Sequence, residues 1–117
     1  MRIAQNWSGE VETGPDLTTV SASWRVPAVA ASPSLQFVAT WVGIGGFTGT
    51  SLIQTGTIEA TATQQVGYAA WVEVLPEPSW TLTSPVTPGG AASFVVAPGD
   101  VMQASVTSTG TGDLWNV

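Results

Sequence analysis

The stretch VSASWRVP, residues 20–27, decides the fold class. Val20, Ala22, Trp24 and Val26 alternate with Ser21, Ser23 and Arg25. Successive side chains of an extended chain point to opposite faces, so this spacing gives one apolar and one polar face, as in a half-buried strand. Pro27, with no amide hydrogen to donate to a ladder, ends the run.

On either side the chain keeps the same character. Runs rich in β-branched and aromatic residues at 37–44, 52–59, 66–75, 93–97, 101–108 and 114–117 are expected to be further strands. TPGG at 87–90, APGD at 97–100 and TGTGD at 109–113 supply the Gly, Pro and Asp that turns require. No long segment keeps helical spacing, so the expected fold is all-β, an antiparallel β-sandwich occupying residues 1–117 as one domain. The closing residues GDLWNV, 112–117, read as a strand cut off in mid-course, so the expectation is the N-terminal part of a longer domain.

Composition narrows the chemistry. Eight acidic and two basic residues give a net charge of −6, and Arg2 and Arg25 stand apart from each other, so no basic cluster exists to bind nucleic acid. The chain has no cysteine and no histidine, which excludes disulfides, thiol catalysis, imidazole triads and zinc sites built on those residues. Carboxylates, amides, hydroxyls and backbone dipoles remain, and the shortage of protonatable groups suits a protein that works in acid. Residues 26–58 carry no charge, but Pro27, Pro33 and the glycines break that run well short of the ~18 apolar residues of a membrane span, and no membrane partner is expected. Residues following Met1 lack the basic and apolar regions of a secretory signal. NWS at 6–8 matches a glycosylation sequon and predicts surface at most.

Two polar side chains stand out. Gln54, in TWVGIGGFTGTSLIQTG at 40–56, lies in a segment with no ionisable group. It shares a strand face with Leu52, Gly56 and Ile58, and Gly56 leaves room beside its amide. A Gln in such a place is either a satisfied structural amide or a group that meets a ligand. The glycines before it are no nucleotide fingerprint, because Thr48 occupies the place of the third Gly that Gly43 and Gly45 would need. Glu73, in VGYAAWVEVLPE at 66–77, falls on one face with Trp71 and Leu75. A carboxylate on a partly apolar face is desolvated and suited to proton transfer, although the same spacing fits a Glu turned to solvent.

NWSG at 6–9, VSASWRVP at 20–27, TWVGIGG at 40–46, LIQTG at 52–56, YAAWVEVLP at 68–76 and VAPGDVMQASVT at 96–107 together resemble, in order, motifs of the glutamic peptidases, or eqolisins. The resemblance implies a concanavalin-like sandwich of two bent antiparallel sheets, with a cleft for a polypeptide substrate across the concave sheet. It implies acid-acting endopeptidase activity without metal or other cofactor, secretion, and a monomer when complete. Gln54 corresponds to one half of the family's catalytic dyad, whose amide stabilises the oxyanion, while a Glu from a later strand serves as general base. Trp41, Trp71 and Glu73 correspond to cleft-lining, substrate-binding residues. Two departures accompany the match. Gly45 stands where the family commonly has Asp, and the family's catalytic Glu lies beyond the segment matching 113–117, so this chain alone is expected to be inactive.

Other readings stay open at this level. A non-catalytic sandwich module could bind peptide or carbohydrate through Trp41, Trp71 and Trp80. A glycosidase using Glu73 and Glu77 is weaker, because the Pro between them gives no assured carboxylate separation.

Overall fold

A computed structural model describes residues 5–82, 95–111 and 114–117. Its strands are β1 (Thr19–Arg25), β2 (Gln36–Gly45), β3 (Leu52–Ala62), β4 (Gln65–Val74), β5 (Trp80–Thr81), β6 (Val101–Ser108) and β7 (Trp115–Asn116). All pairings are antiparallel. They form a three-stranded sheet, β1-β6-β7, and a four-stranded sheet, β2-β3-β4-β5. The described residues contain no helix, and the arrangement is the expected β-sandwich.

β1 behaves as its alternation requires. Val20, Ala22 and Trp24 turn inward while Thr19, Ser21, Ser23 and Arg25 are exposed. Its partner β6 matches it residue for residue, with Ala22 opposite Ala104 and Trp24 opposite Met102. β1 and β6 pack across β2 and β3. Val26, Ala70 and Val96 form the centre of the core, with Tyr68 and Met102 packed against them. The indole Nε1 of Trp24 crosses between the sheets and donates to Thr57 Oγ1 at 3.0 Å.

Turn chemistry explains where the strands stop. In APGD, Pro98 and Gly99 occupy the turn and Gly99 has φ of 90°, the positive value that the third residue of a type II turn requires. Asp100 N donates to Ala97 O at 3.2 Å, and Ala97 N donates to Asp100 Oδ2 at 2.8 Å. This corrects the expected strand at 93–97: its described part, residues 95–97, is not in a sheet, because the Ala97 amide is engaged by the turn while Val96 drops into the core. Residues 93–94, the TPGG turn at 87–90 and positions 112–113 of the last turn lie outside the described residues. Leu75 falls beyond the end of β4, and Trp80–Thr81 adds a short strand that the pattern did not announce.

The β3–β4 hairpin turns on Thr63 and Gln64, with φ of 50° and 63°. Two consecutive positive φ values mark a type I′ turn, the form that matches strand twist, here without the usual Asn-Gly. The loop before β2 holds it from outside: Thr63 N donates to Pro33 O at 3.4 Å and Gln64 N to Ser32 O at 2.9 Å.

Candidate active site

The outer face of the four-stranded sheet gathers the residues singled out in the sequence. Residues directly opposite in an antiparallel sheet project to the same side. One cross-strand row runs Gly43, Gln54, Glu73, and the next runs Trp41, Gly56, Trp71, Thr81. Gln54 and Glu73 therefore stand side by side on the central strands β3 and β4, and Gln54 Nε2 donates to Glu73 Oε2. Nothing in the linear spacing of the two residues requires this contact. The hairpin register creates it.

Small residues make the arrangement possible. A Cβ at Gly56 would stand 2.1 Å from Thr40 O and 2.8 Å from Trp41 Cα, so only glycine lets β3 pass beneath Trp41. A Cβ at Gly43 would stand 2.8 Å from Gln54 Cβ and 2.9 Å from Ile53 O. Gly43 was not singled out as a site residue; its place opposite Gln54 follows once the register is known. Gly45 and Gly46 both have positive φ, at 93° and 76°, where the chain leaves β2. With glycine at position 45, no carboxylate joins Glu73 from this part of β2.

Trp41 and Trp71 flank Gly56 on the same face, Trp41 about 40% exposed and Trp71 more enclosed. Trp71 Nε1 is buried without a hydrogen-bond partner among the described residues. Thr55, on the opposite face of β3, donates from Oγ1 to Trp71 O at 2.7 Å and ties the backbone beneath the indole to its neighbour. Trp80 pairs with Val72 and so lies on the other side of the sheet from Trp41 and Trp71. This corrects the three-tryptophan binding surface: two of the three share a face. Glu77 is exposed in the turn after β4, its amide donating to Val74 O at 2.8 Å.

The inner face of β3 held a residue that the sequence reading passed over. Glu59 is 1% exposed, and both its carboxyl oxygens are buried without a well-formed hydrogen bond among the described residues. Its strand neighbours on that face, Thr55, Thr57 and Thr61, are buried too. The run Thr-x-Thr-x-Glu-x-Thr at 55–61 was the available signal, a polar stripe at strand spacing. Among the described residues, no three His, Cys, Asp or Glu side chains converge in a way that could hold a metal ion.

The model of the peptidase A4 family matches residues 5–114. This chain belongs to that family, the glutamic peptidases. Within the family it is 35% identical over 111 residues to scytalidopepsin B of Scytalidium lignicola. That alignment takes in 92% of the chain and 36% of the scytalidopepsin B sequence, so the chain spans about a third of that relative's length. No solved structure gives a significant match. Membership makes the protein a relative of peptidases, and the paired Gln54 and Glu73 lie within the matched segment.

Proposed function

We propose that residues 1–117 are one unit of a glutamic endopeptidase, in which Gln54 stabilises the oxyanion and Trp41, Trp71 and Glu73 line the cleft that receives a polypeptide. The observation that carries this reading is the Gln54–Glu73 pair on an open sheet face, flanked by Trp41 and Trp71. A glutamine amide has two N–H donors, and the contact with Glu73 engages one of them. That contact holds the amide plane and leaves the other N–H for a developing oxyanion.

In the reaction a general base removes a proton from water, the water oxygen bonds to the scissile carbonyl carbon, and the carbonyl electron pair becomes the oxyanion that Gln54 receives. The oxyanion pair then re-forms the carbonyl, the C–N bond breaks, and the leaving nitrogen takes the proton that the base removed from water. In the family the base is a Glu from a strand later than the segments matched here, as the resemblance implies. An amide donor retains its hydrogens through the acid range, which supports work at low pH. Secretion and a monomeric state come from the same resemblance. The tryptophan pair also fits a non-catalytic peptide-binding module, and cleavage assays decide between the two readings.

The test is Gln54→Ala in the full-length enzyme, assayed by casein digestion at acidic pH. Turnover should fall by roughly a hundredfold or more, the usual loss for one oxyanion donor, with circular dichroism unchanged. Near-normal cleavage by the variant would remove Gln54 from the mechanism. Absence of any cleavage by the folded wild-type enzyme, across substrates and pH, would favour the binding module.

A further inference from the structure

Glu59 is the largest fully buried side chain among the described residues, and it stands where a sandwich ordinarily places an apolar group. On its sheet it lies between Val38 of β2 and Tyr68 of β4. Thr57 and Thr61 flank it along β3, and Trp24 of β1 is committed to Thr57. Tyr68 already accepts a hydrogen bond at its hydroxyl, from Val29 N at 3.2 Å. Tyr68 and, from β6, Met102 pack against the apolar cluster of Val26, Ala70 and Val96. None of these neighbours is charged. Arg25 lies on the outer face of β1, donating to Gly99 O at 2.6 Å, and Glu10, Glu12, Asp16, Glu77 and Asp100 are exposed. Glu73 projects from the opposite face of the sheet.

Beside Glu59 is a recess of about 310 Å³, lined also by Val29, Ala30, Gln36, Val38 and Thr61. It is large enough for several waters, each of which occupies about 30 Å³ of liquid volume. A neutral carboxyl can remain where Glu59 sits at moderate cost, whereas an isolated carboxylate cannot remain without a cation or donors. The way out for an ionised Glu59 is toward that recess.

We propose that Glu59 is a pH-sensitive element built into the sandwich. When neutral it lets the sheets close over the inner face of β3, and when ionised it draws water through the recess and loosens β3 and its neighbours. The device is independent of the reading of Gln54, because it acts on folding and not on the cleft.

The direction of titration agrees. Burial raises the Glu59 carboxyl above its ordinary value of 4.5, while the Thr57 hydroxyl and its own backbone act more weakly in the opposite sense. A raised value means that the folded chain holds its proton at pH values where the unfolded chain has lost it. The stabilising contribution is thus complete below pH 4.5 and is lost as pH rises through the folded value.

The experiment compares thermal unfolding of the wild-type chain, Glu59→Gln and the exposed control Glu77→Gln across acid to neutral pH. Wild type and Glu77→Gln should lose melting temperature together as pH rises above 4.5, and Glu59→Gln should lose far less. A Glu59→Gln profile parallel to wild type, or a flat wild-type profile, overturns the proposal. Because Glu59→Gln could fail to fold, infrared spectroscopy of the wild type supplies a second readout. A protonated-carboxyl stretch that outlasts those of the exposed carboxyls as pH rises, and is absent from Glu59→Gln, supports the proposal, and a wild-type stretch that disappears together with them overturns it.

Discussion

β1 and β3 lie in opposite sheets of the sandwich, and they turn opposite kinds of residue inward. β1 turns Val20, Ala22 and Trp24 inward and leaves Ser21, Ser23 and Arg25 in water. β3 turns Thr55, Thr57, Glu59 and Thr61 inward and presents Leu52, Gln54, Gly56, Ile58 and Ala60 on the outer face. The comparison shows that period and polarity are separate signals. Period 2 follows from backbone geometry and holds in both strands, whereas polarity follows from what each face meets. The inner face of β3 meets the Trp24 indole, which needs an acceptor, and the outer face carries the Gln54–Glu73 pair among glycine and tryptophan.

Substitutions can break or sharpen this contrast. Gly56→Val should have the largest effect, because its Cβ would begin 2.1 Å from Thr40 O and force β2 from β3. Loss of stability beyond about 4 kcal/mol is expected, read as an unfolded circular dichroism spectrum. A folded Gly56→Val chain would mean that the outer face is not built around close strand approach.

Thr57→Val keeps shape but removes the acceptor for Trp24 Nε1. Leaving that donor unpaired between the sheets should cost about 1–3 kcal/mol in denaturant unfolding. If the variant proves as stable as wild type, the inner face of β3 needs only volume, and its contrast with β1 loses its explanation. Ser21→Thr, on the exposed side of β1, should shift stability by no more than about 0.5 kcal/mol. A larger change would show that the outer face of β1 is covered in solution.

The site was partly legible for the same reasons. Gln54, Trp41, Trp71 and Glu73 each stood out by type and by motif, and the alternation of 66–75 correctly placed Trp71 and Glu73 on one face. That Gln54 touches Glu73 was not legible, because it depends on a hairpin whose turn, Thr63–Gln64, lacks the usual turn residues. Gly43 gave no sign of its role, since a glycine's use becomes visible only when the atom that would crowd a Cβ is known. Glu59 was overlooked because a lone Glu in a strand is ordinarily turned to solvent.

By itself the sequence determined the strand class, the two faces of β1, the APGD turn and the family, because each rests on local geometry or on motif order. The tertiary structure alone decided which face of β3 is buried, which glycines admit a neighbouring strand, that Trp80 lies apart from Trp41 and Trp71, and that the Glu59 carboxyl is buried. These depend on register and sheet packing, which bring together residues far apart in the chain, and alternation along a single strand contains no information about the partner it will meet.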